Sequence, residues 1–218
     1  MSKDLAFPVP IREKAPPLPD GRFNMNPTDV TFWQLVAEDF RTHNRDFFSQ
    51  GFWTLFWHRF GNWRMSVRFK PARMVLTAIY RTMYRVGQWT CGIKLPYTVQ
   101  VGRRVKLEHF GGMILVPRSI GNDVTVRQNT TMGIASEQDL NARPALEDGV
   151  DIGAGAVLLG NCVIGRGSVI GANAVVTKSV APYSVMVGVP AVCIRTRHPA
   201  GSEPSDQGAE PAPDARLP

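Results

Sequence analysis

Residues 152–191 read IGAGAVLLGNCVIGRGSVIGANAVVTKSVAPYSVMVGVPA, and their spacing decides the fold. Ile152, Leu158, Ile164, Ile170 and Val176 recur at every sixth position, with Leu146 one step upstream. Four residues after Ile152, Leu158, Ile164 and Ile170 stand Ala156, Cys162, Ser168 and Ala174, all small. Glycine follows directly at Gly153, Gly165 and Gly171. This is neither the 3.6-residue period of a helix nor the alternation of an exposed strand. A fixed six-residue repeat points to a β-helix. Each unit makes one short strand and a turn, and three units close a triangular coil. The aliphatic residue points into the prism, the small residue fits near a corner, and glycine permits the tight turn. One coil cannot bury its inward face alone, so coils must stack.

Upstream, Ile120, Val126 and Met132 keep the same step, with Gly121 and Gly133 in the glycine slot, and Val101, Leu107 and Met113 keep it too. The segment from Ala135 to Ala145 breaks the step and reads as a loop leaving the prism. Loops on a rigid scaffold often carry specificity. Before the repeats, residues 28–92 read as helical. A helix starts near Thr28 or Asp29, with Phe32, Leu35, Val36 and Phe40 at spacings of three and four. An aromatic segment follows, Phe52, Trp53, Phe56, Trp57, Phe60 and Trp63, which suits a core between helices or a shallow membrane anchor. A further helix begins at Pro71, carries Val75, Ile79, Met83 and Val86, and ends at Gly92. The domain reading is thus a disordered arm over 1–27, a helical region over 28–92, a β-helix over 93–197 and a disordered tail over 198–218.

Composition narrows the setting. Cys91, Cys162 and Cys193 are widely spaced and odd in number, so neither a disulfide framework nor a metal cluster is legible. The N-terminus has no apolar signal core, and no run reaches the roughly 18 apolar residues of a membrane span. A cytoplasmic protein is expected. The formal charge of +7 is uneven: no Asp or Glu lies between Phe47 and Leu107, while eleven Lys and Arg do. Such a block favours anionic partners, including a phospholipid surface, so peripheral contact with the inner membrane face joins the expectations. No nucleic-acid motif accompanies the charge, so nucleic acid is not expected as a partner.

The run 152–191, and above all its ending NAVVTKSVAPYSVMVGVPA, resembles the left-handed β-helix of hexapeptide-repeat acyltransferases. Upstream, VGRRVKLEHFGGMILVPRSIGNDVTVRQNTTMG is similar to serine O-acetyltransferases, and FWHRFGNW sits where their helical domain lies. The resemblance covers about 28–197 and looks closest to acetyltransferases of exopolysaccharide and colanic-acid biosynthesis. It implies a mainly β protein, a left-handed parallel β-helix preceded by a small α-helical region. It also implies a homotrimer with sites at subunit interfaces, and acetyl-CoA as co-substrate with no metal.

An acceptor hydroxyl is a poor nucleophile at neutral pH, so attack on a thioester needs a base at its proton. Histidine suits that role. Of His43, His58, His109 and His198, only His109 lies in the coils, in KLEHFGG, matching the catalytic histidine of serine acetyltransferases. His43 and His58 read as packed or surface residues of the helical region. The resemblance pairs the catalytic histidine with a carboxylate, but the aligned residue is Lys94, and Glu108 replaces an aspartate. Glu108 is a candidate acceptor contact. The Arg-His pair that holds serine in those enzymes is replaced by Ala142 and Arg143, with Arg143 a candidate for a glycan or other small-molecule acceptor. By motif position, Gly133, Ala154, Gly155, Ala172, Thr177, Lys178 and Arg195 are assigned to CoA, with Gly133 also a backbone donor to the developing oxyanion. Cys162 occupies a corner slot and reads as an inert buried thiol.

The leading expectation is O-acetylation of a sugar or exopolysaccharide precursor. Serine O-acetylation, opposed by Ala142 and Arg143, is the alternative, as is a non-catalytic β-helix scaffold. An amino-sugar acceptor remains compatible. A β-helix zinc enzyme would need about three histidine ligands, and the coils hold one.

Overall fold

The computed structural model describes residues 15–197. The assignments made to 1–14, to His198 and to the tail lie outside the described residues. From Ile93 onward the chain winds into short parallel strands that stack on three faces. The first face carries Ile93–Lys94, Met113–Leu115, Thr131–Gly133, Val157–Leu159 and Val175–Val176. The second carries Gln100–Val101, Ser119–Ile120, Ala145–Leu146 and Val163–Ile164. The third carries Lys106–Glu108, Thr125–Arg127, Asp151–Ile152, Val169–Ile170 and Ser184–Val187. Val192–Thr196 then folds back antiparallel on Ser184–Val187 and ends the sheet.

The repeat dictates this packing. Leu146, Ile152, Leu158, Ile164, Ile170 and Val176 all point inward and are buried, and so are Ala156, Cys162, Ser168 and Ala174 at the corners. Full burial of one such Leu or Ile stabilises by about 1.5–3 kcal/mol. Truncating Leu158 to Ala would cost about 2–5 kcal/mol, because a close-packed prism cannot collapse onto the void. Burial also pushes the Cys162 thiol up to about 11, which leaves it protonated and unreactive.

Three helices precede the prism: α1 (Phe32–Thr42), α2 (Gln50–Trp63) and α3 (Lys70–Cys91). Helix α1 begins at Phe32 rather than near Thr28. Thr31 and Gln34 form a capping box that satisfies the first free amides at that point. Gly92, in left-handed conformation, ends α3 as expected. Part of the aromatic segment packs between α1 and α2, with Phe32 5.5 Å from Trp63 and Phe40 5.2 Å from Phe52 between ring centroids, while Trp53 and Trp57 turn to a groove between α2 and α3. Leu55 of α2 joins the cluster that fills the first coil, so α2 caps the open end of the prism.

A buried ion pair fixes that cap. Arg59 and Asp39 are both fully buried and bond at 3.0 Å. The guanidinium of Arg59 also donates to the carbonyls of Val101 (2.7 Å) and Gly102 (2.6 Å) on the first coil. Part of the segment read as a disordered arm, residues 15–27, is placed against this body. Ala15 donates to Asp139 (3.2 Å), Asn26 to the Arg59 carbonyl (2.9 Å), and Gly21 packs on Tyr97 and Thr98. Asn24 bonds the Ser66 hydroxyl and Asn26 a backbone carbonyl of α2, so polar side chains that suggested disorder serve as anchors.

Candidate active site

His109 leaves the third face at the end of Lys106–Glu108, on the turn to the first face. Leu107 pairs with Val126, and Leu115 pairs with Met132. The chain thus takes eight residues from Leu107 to Leu115, where the next coil takes six from Val126 to Met132. Met113, although buried, is therefore not the register equivalent its six-residue step suggested. The two additional residues swell the turn outward, and His109, Phe110, Gly111 and Gly112 fill it. His109 is exposed, with φ 63°. A left-handed backbone costs a non-glycine residue about 1–2 kcal/mol, so the turn holds its imidazole in a conformation that surrounding contacts must enforce.

Two features flank the turn. Gly112 (φ 62°) lies so close to the next coil that an added Cβ would sit 2.6 Å from the Asn129 Oδ1. Below, the backbone N–H of Leu107 donates to Nε2 of buried His43 at 3.1 Å, while Nδ1 of His43 donates to the Asp39 carbonyl at 2.7 Å. These partners fix one neutral tautomer. Burial accordingly holds the pKa of His43 below its ordinary value.

The outward side of the third face is an alternating charge ladder. Glu108 accepts from Lys106 at 2.7 Å and pairs with Arg127 at 3.3 Å, and Arg127 continues to Asp151. The Lys106 hydrogen bond, aided by the charge of Arg127, holds Glu108 below the usual carboxylate range. Glu108, assigned to the acceptor, is thus already committed to two cations. Lys94 is exposed on the first face and pairs in register with Ile114, near the His109 turn.

The other assigned residues divide between prism edges. Ala154, Gly155 and Ala172 lie on the third-to-first edge that also carries His109. That edge is laced by amide bonds from Asn129 to the Gly111 carbonyl (3.1 Å), Gly155 to Gln128 (2.9 Å) and Asn173 to Ala154 (2.8 Å). Gly133, Thr177 and Lys178 lie on the first-to-second edge, beside the loop 134–144 that bears Arg143. Nothing stands within 4 Å of where a Cβ of Gly133 would project. Arg143 donates to the Leu140 carbonyl (3.2 Å), so the loop engages it locally. Arg195 is exposed on the terminal antiparallel strand. The chain therefore gathers His109 with Ala154, Gly155 and Ala172, and sets Gly133, Arg143, Thr177 and Lys178 on a different edge.

Sequence reasoning missed His43 as the support of the His109 strand. Its position at the C-cap of α1, one turn after Asp39, was the available signal. No group of three or more metal-ligating side chains exists among the described residues.

Residues 145–178 match the model of the bacterial transferase hexapeptide (six repeats) family. The serine acetyltransferase of Escherichia coli (strain K12) is 33% identical over 143 residues, 65% of this chain and 50% of that protein. The chain spans about half the length of the curated relatives it matches. Among solved structures, soybean serine acetyltransferase complexed with serine is similar with a TM-score of 0.62 and 26% identity, covering 75% of this chain and 69% of that one. A serine acetyltransferase complex with CoA gives a TM-score of 0.61 at 25% identity, over 75% and 69%. The fold is the left-handed parallel β-helix with a small N-terminal helical region.

Proposed function

We propose that the chain is an acetyl-CoA-dependent O-acetyltransferase in which His109 is the general base. The observation that carries this reading is the enlarged turn, with left-handed backbone at His109, that presents an exposed imidazole at an edge of the prism. The imidazole takes the proton of the acceptor hydroxyl as its oxygen attacks the thioester carbonyl. The tetrahedral intermediate then collapses, the C–S bond breaks, and the protonated imidazole returns that proton to the CoA thiolate. Gly133, Ala154, Gly155, Ala172, Thr177, Lys178 and Arg195 remain the proposed CoA contacts.

Because His109 and the Gly133 edge are apart in one chain, a site using both needs a second copy. A heterologous contact that sets the His109 edge of one prism beside the loop edge of the next forms a ring where its rotation closes, and the triangular section of the prism suits a three-fold rotation. We therefore propose a homotrimer with three interfacial sites. Acetyl-CoA as the proposed donor supports a cytoplasmic setting.

Serine is the acceptor that the names of the similar proteins support. A sugar hydroxyl is the second reading, favoured by Ala142 and Arg143 in the loop, while Lys94 in the place of the expected carboxylate favours the scaffold. The deciding experiment is release of free CoA thiol from acetyl-CoA by wild type and His109→Ala, with serine, nucleotide sugars and acidic oligosaccharides as acceptors. Turnover should fall about 10²–10⁴-fold in the variant. The acceptor that sustains turnover names the substrate, and a folded wild-type protein inert toward all of them sinks the enzymatic reading in favour of a scaffold.

A further inference from the structure

We propose that the outward face of α3, together with the groove between α2 and α3, docks on an anionic membrane surface. Helix α3 has 22 residues, of which only Tyr80 is fully buried. At 3.6 residues per turn, Val75, Ile79, Val86 and Trp89 fall within one outward stripe. All four are exposed, Trp89 at 81%. Arg81 and Arg85, one turn apart and exposed, run along one flank of the stripe, and Lys70 lies on the same flank at the helix start.

The apolar surface continues past the helix. A groove of about 450 Å³ opens between α2 and α3, lined by Phe48, Trp53, Trp57, Met83, Val86 and Leu95. Phe48 at its mouth is 84% exposed. Exposed aromatic and aliphatic residues beside a basic flank are the composition of a helix that lies in the headgroup region. No described helix is long and apolar enough to cross a membrane, so this face would rest on the bilayer rather than span it.

Charge selects the occupant. The eleven Lys and Arg between Phe47 and Leu107 face no Asp or Glu in that segment. Arg59 is consumed by Asp39, and Arg103 and Arg104 by Glu38, Asp29 and Asp123. Lys70, Arg81 and Arg85 make no ion pair among the described residues. A second copy seated on this face by two-fold symmetry would bring cationic flank against cationic flank, with no carboxylate on α3 to pair them. Lipid phosphates neutralise the flank while the acyl region takes Trp89, Val75 and Ile79.

The test is co-sedimentation of the full chain with vesicles of phosphatidylcholine alone and of phosphatidylcholine with phosphatidylglycerol, at low and high salt. It is independent of acetyl transfer. Binding should require phosphatidylglycerol and weaken with salt. Arg81→Glu with Arg85→Glu should reduce partitioning by about twenty-five-fold or more, since each basic contact contributes roughly fivefold and the reversal adds repulsion. Trp89→Ser should weaken binding at unchanged salt dependence. All three positions are exposed, and circular dichroism confirms that the variants fold. Absence of binding to anionic vesicles overturns the proposal, as does equal binding to neutral ones. So does a change in assembly mass in vesicle-free solution on substituting the stripe, which would assign the face to contact between copies.

Discussion

The imidazole of His43 accepts the backbone N–H of Leu107 at 3.1 Å, two residues before His109. Since Nδ1 of the same ring is held by the Asp39 carbonyl at 2.7 Å, the end of α1 is tied to the strand that delivers the proposed base. The helical region is thus a brace for the first coils, and its contacts bear on the turn where the backbone is strained.

Replacing His43 by Ala leaves the buried Leu107 N–H without a partner, which costs about 1–3 kcal/mol, before any loss of packing. We expect a lower melting temperature together with a fall in kcat, because the His109 turn loses its anchor, while KM for acetyl-CoA changes little. His43→Gln, which retains an acceptor, should recover part of both. Calorimetry and thiol release measure the two effects separately. A fall in melting temperature with kcat unchanged would mean that the contact holds the helices alone.

Gly51 makes the same junction intolerant of bulk. A Cβ there would lie 2.3 Å from the Leu107 carbonyl oxygen and 2.8 Å from Nε2 of His43. Neither atom sits at the end of a flexible chain, so α2 must shift as a body. Gly51→Ala should destabilise by at least about 2 kcal/mol despite its higher helix propensity. Urea unfolding gives the value, and a neutral or stabilising result would show that α2 slides freely on the first coil.

Much of this architecture is legible in the residues themselves. Ile152 through Val176 repeat so strictly that the inward positions are fixed by spacing alone, and burial of Ala156 and Cys162 follows from the corner slots. Met113 shows where spacing misleads. It keeps a six-residue step from Leu107, yet pairing register puts Leu115 opposite Met132. An insertion hidden in a turn alters register without disturbing nearby apolar spacing, and the paired glycines of His109-Phe110-Gly111-Gly112 were its only trace. Histidine at 109 is singled out by position, whereas His43 depends on a contact between residues 64 apart in sequence, which no local pattern encodes. The division of Gly133 and His109 between edges likewise emerges only when the coils are wound.

The Asp39–Arg59 pair should behave as a unit. Removing one member leaves an unpaired buried charge, at a cost of about 3–5 kcal/mol. Asp39→Leu strands the guanidinium, whose remaining bonds to the Val101 and Gly102 carbonyls cannot neutralise it. We expect the double variant Asp39→Leu with Arg59→Met to be more stable than either single variant. A double-mutant cycle from urea unfolding reads the coupling. Additive losses would show that the two side chains act independently.

His58 should make stability depend on pH in a defined direction. It is fully buried, Nε2 donates to the Val99 carbonyl at 3.0 Å, and Nδ1 has no partner among the described residues. Burial, assisted by the charge of Arg59, pushes its pKa down to about 3. In the unfolded chain it titrates near its ordinary value of roughly 6.5. The fold therefore keeps the ring neutral while the unfolded state takes up a proton as pH falls. Stability from this residue is complete above about pH 6.5 and declines progressively from there toward pH 3. At about pH 5 the loss is on the order of 2 kcal/mol. His43, also lowered by burial, adds to it in the same direction. His58→Gln keeps an N–H for the Val99 carbonyl and removes the titration, so its unfolding free energy should fall less steeply than wild type between about pH 7.5 and pH 5. Parallel pH profiles for the two proteins would mean that His58 takes up its proton inside the fold.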